Sequence, residues 1–504
     1  MKAILSSEQI KAADTATIQN EPIASIDLME RAAEKCFLWI KKNSDRKQTH
    51  QIVCGSGNNG GDGLAIARML HLNKFNVKVH VIKLGENMSI DCTKNFEKVT
   101  ELAQNSKELE VIRDELPTFD QKDVIVDALF GTGLSRPAEG FVLDIINKIN
   151  ESGCNVISID MPSGLCSDNK YYNAEFKSVV ANATLTFQTL KSSMICPDLG
   201  AYCGKIKILD IGLDNTFIES LEANEYLIER SDVKKMFFSR SEFSHKGNYG
   251  HVFLMAGSTG KTGAAVLSVN ACLRSGCGLT TAAIPGSGYQ IIQTAAPEAM
   301  SIVDEHPDHI TSLPSDLPFN ALGFGPGVGT HEDTAKVLKR IIQDFKGALV
   351  IDADGLNILA QNPTWLAFLP QNTILTPHPG EFERLVGKWE NGFERNQKLK
   401  DIAVKFNVIV VLKGKYTAIA APNGSIYFNP TGNPGMSKGG SGDVLTGLIT
   451  GLAARGLTPL HATITGVYIH GLAGDYAAKK LTQEAMTAGD IIRYFRKAFK
   501  EVVG

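Results

Sequence analysis

The strongest chemical signal in the sequence is the segment 438–447, which reads Lys-Gly-Gly-Ser-Gly-Asp-Val-Leu-Thr-Gly. It runs into an apolar stretch that ends near Ala454, so we expect a helix to begin inside it. Backbone N–H groups at a helix start cradle anionic oxygens, and Asp443 in the first turn can act as a base toward a substrate hydroxyl. A lone Gly-Asp pair is more simply a helix cap, but the four glycines here favour an anion hole for phosphoryl transfer.

A second polar segment, 57–63, reads Gly-Asn-Asn-Gly-Gly-Asp-Gly and precedes an apolar run. Glycines let the backbone approach a ligand closely, while the amides and the carboxylate offer polar contacts. A single Asn-Gly pair would indicate a turn, but this density of glycine after a strand favours a ligand-binding loop.

Three hard oxygen donors follow β-branched runs in the same part of the chain: Asn59, Asp127 and Ser163. Such donors can hold a cation together without the thiols and imidazoles that are typical of zinc sites. Taken alone, each of them is more simply a cap or turn residue.

Two other motifs resemble nucleotide-binding loops but lack a required residue. Residues 55–60 fit GxGxxG, yet the next strand ends in Lys83, where a dinucleotide-binding fold needs an acidic ribose ligand. Residues 257–262 look like a phosphate loop, yet Met255 stands where the first glycine of GxxxxGK[ST] is needed. The sequence therefore argues against an ordinary NAD-dependent dehydrogenase and against a Walker-type NTPase.

The elements that must position these segments are short β-branched runs that alternate with helical stretches. We expect strands at 51–54, 77–82, 124–127 and 156–160, and again at 251–256, 348–352, 373–376 and 408–412. This alternation predicts βαβ units and parallel sheets, which bind ligands outside the carboxyl ends of their strands.

Length and composition limit the class of protein. A chain of 504 residues exceeds what one hydrophobic core usually supports, so length alone predicts two or three domains. Residues 214–244 are polar and charge-dense, which places the boundary near 220–228 and predicts domains at 1–222 and 223–504. The net charge of −3 argues against a nucleic-acid binder, and no apolar run is long enough to span a membrane. The nine cysteines form no CxxC pair, so we expect reduced, mostly buried thiols and a cytoplasmic protein.

Residues 1–215 resemble the NAD(P)H-hydrate epimerase family through these loops, through 28–32 (Leu-Met-Glu-Arg-Ala) and through 186–191 (Thr-Phe-Gln-Thr-Leu-Lys). The resemblance implies potassium ligands at Asn59, Asp127 and Ser163 and catalytic roles for Asp160 and Lys191. From the residues alone, Asp160 can equally cap the turn before Pro162, and Lys191 can be a solvated charge at a helix end. The implied substrate ligands are Asp160 and two loops, Asn58, Asn59, Gly60, Gly61 and Asp62, and Gly131, Thr132, Gly133, Leu134, Ser135, Arg136 and Pro137.

The segment around Asp443 resembles the ribokinase-like superfamily, whose members phosphorylate hydroxyls. With the motifs at 246–251, 257–265, 297–300, 323–327, 352–357 and 376–381, roughly residues 225–500 look like the ADP- or ATP-dependent NAD(P)H-hydrate dehydratase family. The resemblance implies magnesium near Glu381, through water. The implied ligands of the hydrated cofactor are Ala264, Gly325 or Gly327, His378 and Asp443, and those of the nucleotide are Lys413, Gly414, Lys415, Tyr416, Thr417 and Gly442.

Together the resemblances imply an α/β protein with an N-terminal Rossmann-like three-layer αβα domain and a C-terminal ribokinase-like α/β domain. They imply a bifunctional repair enzyme that interconverts the R and S forms of hydrated NADH and NADPH (NADHX and NADPHX) and dehydrates the S form with ADP or ATP. The alternative is a small-alcohol kinase fused to a binding module without catalysis. We also expect a homo-oligomer, a tetramer or larger. The choice between ADP and ATP, and between the two hydrated cofactors, stays open.

Overall fold

The computed structural model describes residues 1–83, 87–134, 137–168 and 176–504. The chain forms two compact units: residues 3–223 make up one, and residues 1–2 with 224–504 make up the other. Each unit is built around its own sheet, so each is described by itself. The chain opens with the short strand β1 (Lys2–Ala3), which stands at one end of the strand order of the larger sheet.

The sheet of residues 3–223 has seven strands in the order β4-β3-β2-β5-β6-β7-β8, and all its pairs are parallel. Its strands are β2 (Thr49–Cys54), β3 (Asn76–Val81), β4 (Leu109–Arg113), β5 (Val124–Ala128), β6 (Asn155–Ile159), β7 (Ala183–Phe187) and β8 (Lys205–Leu209). The helices between and around them are α1 (Ser7–Asn20), α2 (Ser25–Asn43), α3 (Asn58–Leu72), α4 (Ile90–Gln104), α5 (Gly140–Glu151), α6 (Ser192–Ile195), α7 (Pro197–Gly200) and α8 (Asn215–Ser220).

Alternating residues of one strand enter two different cores, which makes this unit three-layered. Ile52 of β2 packs in a cluster with Cys36 of α2 and Leu64 of α3. Its neighbour Val53 packs in a separate cluster with Ile145 of α5. Because successive side chains of a strand point to opposite faces, helices cover both sides of the sheet.

The sheet of the other unit has eleven strands in the order β1-β9-β18-β17-β16-β15-β14-β13-β10-β11-β12. The run from β16 to β12 is parallel, whereas β17 pairs antiparallel with both of its neighbours. The strands are β9 (Glu225–Leu227), β10 (His251–Met255), β11 (Leu279–Ile284), β12 (Met300–Val303), β13 (Ala321–Phe324), β14 (Ala348–Ile351), β15 (Ile374–Leu375), β16 (Ile409–Leu412), β17 (Ala418–Ala420) and β18 (Ile426–Phe428).

The main core of this unit lies between the parallel strands and a layer of apolar helices. Val252 of the central strand β10 packs there with Val269, Leu448 and Phe495 from three different helices. The helices of the unit are α9 (Arg230–Met236), α10 (Thr262–Leu273), α11 (Tyr289–Ala295), α12 (Glu332–Asp344), α13 (Asp354–Gln361), α14 (Pro379–Val386), α15 (Gly392–Phe406), α16 (Ser441–Ala454), α17 (Pro459–Ala485) and α18 (Ala488–Val503).

All eight strands expected from the sequence are present, with their ends shifted by one or two residues. The polar residues Asp160, Asp352 and Thr376 stand directly after strands β6, β14 and β15, at or near their carboxyl ends. Eight of the nine cysteines are buried, as expected. Within the described ranges, no helix combines the length and the apolar character that crossing a membrane requires.

Candidate active sites

The unit of residues 3–223 contains a cavity of about 680 Å³ at the carboxyl ends of β2, β5 and β6. Asn58, Asn59 and Asp62 line it from the start of α3, and Gly131, Thr132 and Gly133 line it from the loop after β5. The helices α1 and α2 supply the apolar part of the wall, with Ile10, Ile18, Leu28 and Met29. The cavity therefore combines a polar floor at the strand ends with an apolar side, as expected of a small-molecule site.

Not every glycine of the predicted loop faces this cavity. A Cβ atom on Gly60 would lie 1.9 Å from the carbonyl oxygen of Gly55, and one on Gly61 would lie 2.7 Å from Sδ of Met29. These two glycines let α3 pack tightly against the preceding loop and against α2. Ser135 and Arg136, also predicted as ligands, lie outside the described residues, and their neighbours Leu134 and Pro137 are not among the described residues that line the cavity.

The Asp160 side chain faces the cavity and is paired with a buried lysine. Lys191 is 1% exposed, and its Nζ donates to Oδ1 of Asp160 at 2.5 Å, to Oγ1 of Thr186 at 2.7 Å and to the carbonyl of Phe187 at 3.2 Å. The interpretation of Lys191 as a solvated helix-end charge is therefore wrong. Asp160 itself has a φ of +61°, a left-handed conformation that Asp tolerates better than most residues.

Two more carboxylates lie in this cavity with Asp160. Burial, followed by the charges of Asp160, Asp14 and Glu30, raises the pKa of Asp62 well above its ordinary value. Burial and the charge of Asp160 raise the pKa of Asp14 to about 6, although Lys191 opposes the rise. Sequence reasoning missed Asp14. The available signal was a carboxylate on one helix face between Ile10 and Ile18, where an apolar residue is the usual choice.

Asn59 and Ser163 both contact the backbone of Phe130, and Ser163 also contacts Asp127. Asn59 donates to that carbonyl at 2.8 Å, and its own Oδ1 is buried and has no hydrogen-bond partner in the described structure. Ser163 donates to Asp127 through its hydroxyl at 2.5 Å and through its backbone N–H at 2.9 Å. Burial raises the pKa of Asp127, while these hydrogen bonds oppose the rise.

In the other unit, α16 begins within the predicted anion-hole segment. Gly440 precedes the helix with a φ of +90°, and Asp443 lies in the first turn. Burial, followed by the charge of Asp352, raises the pKa of Asp443 to about 6, and Lys413 opposes the rise. A carboxylate with this pKa is close to the ideal for a general base at neutral pH.

Asp352 joins the ends of three elements at this helix start. Lys413, after β16, donates to Oδ1 of Asp352 at 2.7 Å, and Thr446 of α16 donates to Oδ2 at 2.6 Å. A Cβ atom on Gly442 would lie 3.1 Å from Nζ of Lys413, so the glycine leaves room for that side chain. Sequence reasoning missed a role for Asp352, although it opens the motif 352–357. Its place after a buried strand was the signal for one.

The predicted substrate residues Ala264, Gly325 and Gly327 meet beside this centre. A Cβ atom on Gly327 would lie 3.1 Å from Cβ of Ala264, and one on Gly325 would lie 1.9 Å from the carbonyl of Asp352. Lys261, three residues before Ala264, donates to Asp354 at 3.2 Å and so joins the first of these loops to the segment after β14. Three loops, 257–264, 325–329 and 352–354, are thus in mutual contact.

His378 and Glu381 form a reciprocal cap on α14. Nδ1 of His378 accepts from the N–H of Gly380 at 3.0 Å, and Glu381 accepts from the N–H of His378 at 2.8 Å. Nε2 of His378 lies 3.4 Å from the other carboxylate oxygen of Glu381. His378 is 52% exposed, so its ring remains accessible, whereas Glu381 is buried.

The predicted nucleotide segment 413–417 leads from β16 into β17. Thr417 donates to the carbonyl of Gly414 at 2.9 Å, and Tyr416 has a φ of +53°, so the chain turns tightly here. Gly414 and Lys415 are exposed, which leaves their backbone groups accessible.

The chain matches two protein-family models. One, described as the YjeF-related protein N-terminus, covers residues 25–193, and the other, described as NAD(P)H-hydrate dehydratase, covers residues 252–497. Among solved structures, a ribokinase-like superfamily protein from Enterococcus faecalis is similar with a TM-score of 0.50 and 26% identity, over 56% of this chain and 97% of that one. The predicted ribokinase-like α/β fold is confirmed.

Relatives named bifunctional NAD(P)H-hydrate repair enzyme Nnr match nearly the whole chain. The Moorella thermoacetica protein is 34% identical over 491 residues, which cover 94% of this chain and 92% of the relative. The Coxiella burnetii protein is 33% identical over 498 residues, which cover 98% and 99%. The Escherichia coli protein is 30% identical over 472 residues, which cover 92% and 88%. The chain therefore belongs to the family of bifunctional NAD(P)H-hydrate repair enzymes.

Proposed function

We propose that the two repair reactions are divided between the units, with an epimerase domain at 1–222 and a dehydratase domain at 223–504. Membership of the repair family favours this function over a small-alcohol kinase fused to an inactive binding module. The observation that carries the epimerase assignment is the buried Asp160–Lys191 pair at the wall of the cavity, because a mere binding module has no need of such a pair.

Epimerisation requires that the C–O bond at the hydrated ring carbon open and re-form on the other face. Asp160 lines the cavity with its carboxylate, so it is the group that passes a proton from the Lys191 ammonium to the departing hydroxyl and takes that proton back when water adds to the other face. Lys191 fixes Oδ1 of Asp160 and supplies the compensating charge. Asn58, Asn59, Asp62 and the loop 131–137 would hold the rest of the cofactor.

A potassium ion would fit the donor set of Asn59, Asp127 and Ser163. The buried Oδ1 of Asn59 without a described partner is the support for this assignment, because a buried polar atom is costly unless it is bound. The hydrogen bonds described for Asp127 all come from hydroxyls and backbone amides, so its buried charge would also gain from a cation. The ion would supply positive charge beside the cofactor.

Dehydration begins when Asp443 accepts the proton of the substrate hydroxyl while that oxygen takes a phosphoryl group from ADP or ATP. Phosphate then leaves with the electron pair of the C–O bond, and a proton is lost from the adjacent carbon as the ring double bond re-forms. The backbone N–H groups at the start of α16 stabilise the charge that develops on the transferred group. Hydroxide is a poor leaving group, so the nucleotide supplies the driving force.

The remaining predicted ligands of the cofactor and the nucleotide lie on the segments around Asp443. Ala264, Gly325, Gly327 and His378 would contact the hydrated cofactor, and residues 413–417 with Gly442 would hold the nucleotide. Both oxygens of Glu381 are engaged by His378, so Glu381 would hold magnesium through water, where the ion would neutralise phosphate charge. Assembly as a homo-oligomer and residence in the cytoplasm stay predictions.

A pair of single substitutions tests this division of labour in the full-length chain. We expect Asp160→Asn to slow equilibration of the R and S hydrates by roughly 10²- to 10⁴-fold while dehydration of the S form with ADP or ATP is retained. We expect the opposite pattern for Asp443→Asn. Asp401→Asn, at an exposed position of α15, is the matched control and should change neither rate. An undiminished epimerisation rate in Asp160→Asn would remove Asp160 from the mechanism.

A further inference from the structure

Three histidine rings lie against one another in the unit of residues 224–504. The ring centroids of His306 and His309 are 3.9 Å apart, and those of His309 and His331 are 4.0 Å apart. One ring nitrogen of His309, one of His331 and one carboxylate oxygen of Asp333 all lie within 4.8 Å of one another. Neither repair reaction uses these groups.

The buried nitrogen of His309 indicates that a partner is missing from this cluster. Its Nε2 is shielded from solvent and has no hydrogen-bond partner among the described residues. A shielded ring nitrogen without a partner is costly, whereas coordination of a metal ion would satisfy it. Imidazole nitrogen combined with a carboxylate suits zinc and its transition-metal neighbours rather than magnesium or calcium, which prefer oxygen donors alone.

The two chain segments that carry the cluster are held rigidly before any ion binds. Asp304 accepts from the backbone N–H groups of Thr311 at 2.8 Å and Ser312 at 2.9 Å, which fixes the loop 304–312. Thr334 of α12 donates to the carbonyl of Ile310 at 2.8 Å and joins this loop to the helix that follows His331. A preorganised site loses little conformational entropy when its ligand binds.

We propose that His309, His331 and Asp333 bind one divalent transition-metal ion of the zinc class, with a fourth coordination position open to water. The His306 ring packs against the His309 ring at an angle of 48° and positions it. The site also touches the dehydratase loops, because Thr259 donates to Asp308 through its N–H at 2.8 Å and through its hydroxyl at 2.7 Å. The bound ion therefore stabilises the loop 257–262 that leads into Ala264.

The test uses the full-length protein after chelator treatment and without nucleotide, so that phosphate groups cannot bind the probe. Cobalt(II) reports a low-symmetry site of nitrogen and oxygen ligands by its visible absorption. We expect one cobalt per chain at this site, displacement by zinc, and a melting temperature that rises with zinc concentration. Thiolate charge-transfer absorption in place of the nitrogen-and-oxygen spectrum would overturn the proposal.

Two substitutions remove ligands while keeping the local structure. His331 caps α12 by accepting from the N–H of Asp333 at 3.4 Å, and Asn is an equally good cap, so His331→Asn removes only the imidazole. His309→Gln keeps a polar side chain of similar size. We expect each variant to bind cobalt at least tenfold more weakly and to lose the zinc-dependent rise in melting temperature.

The matched control is His461→Asn, at an exposed position near the start of α17, which should bind cobalt as the wild type does. Wild-type affinity in both His331→Asn and His309→Gln would overturn the proposal. So would the absence of any cobalt spectrum in the wild-type protein.

Discussion

The two candidate sites contain the same three charged groups in two different arrangements. Near α1, the ion pair is Asp160 with Lys191, and the carboxylate outside the pair that we call solitary is Asp14, with Asp62 as a further buried carboxylate beside them. At the start of α16, the solitary carboxylate is Asp443 and the ion pair is Asp352 with Lys413. In both sites burial and the neighbouring aspartate raise the pKa of the solitary carboxyl to about 6, while the lysine opposes the rise.

The sites differ in which group we expect to meet the substrate. In the cavity near α1 the paired Asp160 lines the wall and Lys191 is fully buried behind it. At α16 the ion pair lies beneath the helix start, and the unpaired Asp443 occupies its first turn. With the proposed roles, an Asp–Lys pair serves as the reacting group in one site and sets the pKa of a neighbouring base in the other.

The largest difference should appear when each lysine is replaced. Lys191→Met leaves Asp160 charged and buried without its partner, which should cost about 3–5 kcal/mol of unfolding free energy and abolish epimerisation. Lys413→Met should cost less, because Lys413 is 23% exposed and Thr446 still donates to Asp352. Urea unfolding of both variants measures the difference. Equal losses would show that the two ion pairs contribute equally to stability, contrary to the difference in their burial.

A second effect separates the solitary carboxylates from ordinary surface acids. Burial and a neighbouring aspartate raise the pKa of Asp14 and of Asp443 from 3.8 to about 6, so the folded state binds more protons than the unfolded state between these pH values. Stability conferred by the protonated form is therefore lost as pH rises from about 4 to 6. Asp14→Asn and Asp443→Asn should each gain about 2–3 kcal/mol at pH 8 and nothing at pH 4.

Chemical denaturation at both pH values gives this result directly, with Asp401→Asn as the exposed control. A gain of the same size at pH 4 would trace the effect to packing rather than to charge. A gain in only one of the two variants would show that the carboxylate in the other variant is stabilised by groups beyond its Asp–Lys neighbours.

The smallest effect is a change in the pKa of the carboxyl group beside each Asp–Lys ion pair. Asp352→Asn removes the negative charge that raises the pKa of Asp443, so the rising limb of the pH profile of dehydration should move down by about one pH unit. In the other site, Asp160→Asn should lower the pKa of Asp14, which carboxyl-carbon NMR can follow without catalysis. An unmoved limb in Asp352→Asn would mean that burial, with the charges of Asp354 and Glu381, sets the pKa of Asp443 without Asp352.

Strand endings could be predicted from the sequence because β-branched runs followed by Gly, Asp or Pro are local signals. The start of α16 was predicted for the same reason, since its glycines and Asp443 adjoin an apolar helix. The antiparallel strands β17 and β18 were not predicted. Each has only three residues, so their pairing depends on a partner strand rather than on a pattern of their own.

The site residues also fall into two groups, those with a local sequence signal and those whose partners lie on distant elements. The Gly-rich loops and Asp443 have a physical reason within a few residues of sequence, whereas the pairing of Asp352 with Lys413 joins positions that are 61 residues apart. Asp14 could not be placed because its partners Asp160 and Lys191 lie on other elements. Predicting such a site requires knowing which strand ends are neighbours, and that order follows from tertiary structure.

The left-handed backbone at Asp160 also restricts which residues can replace Asp160 during evolution. Asp, Asn and Gly fit a φ of +61° with the least strain, and both Asn and Gly codons are one nucleotide away from those for Asp. A lineage that loses epimerisation but keeps its fold should therefore carry Asn or Gly here. The identity of this one residue would then separate working epimerases from chains that keep the cavity and have lost the reaction.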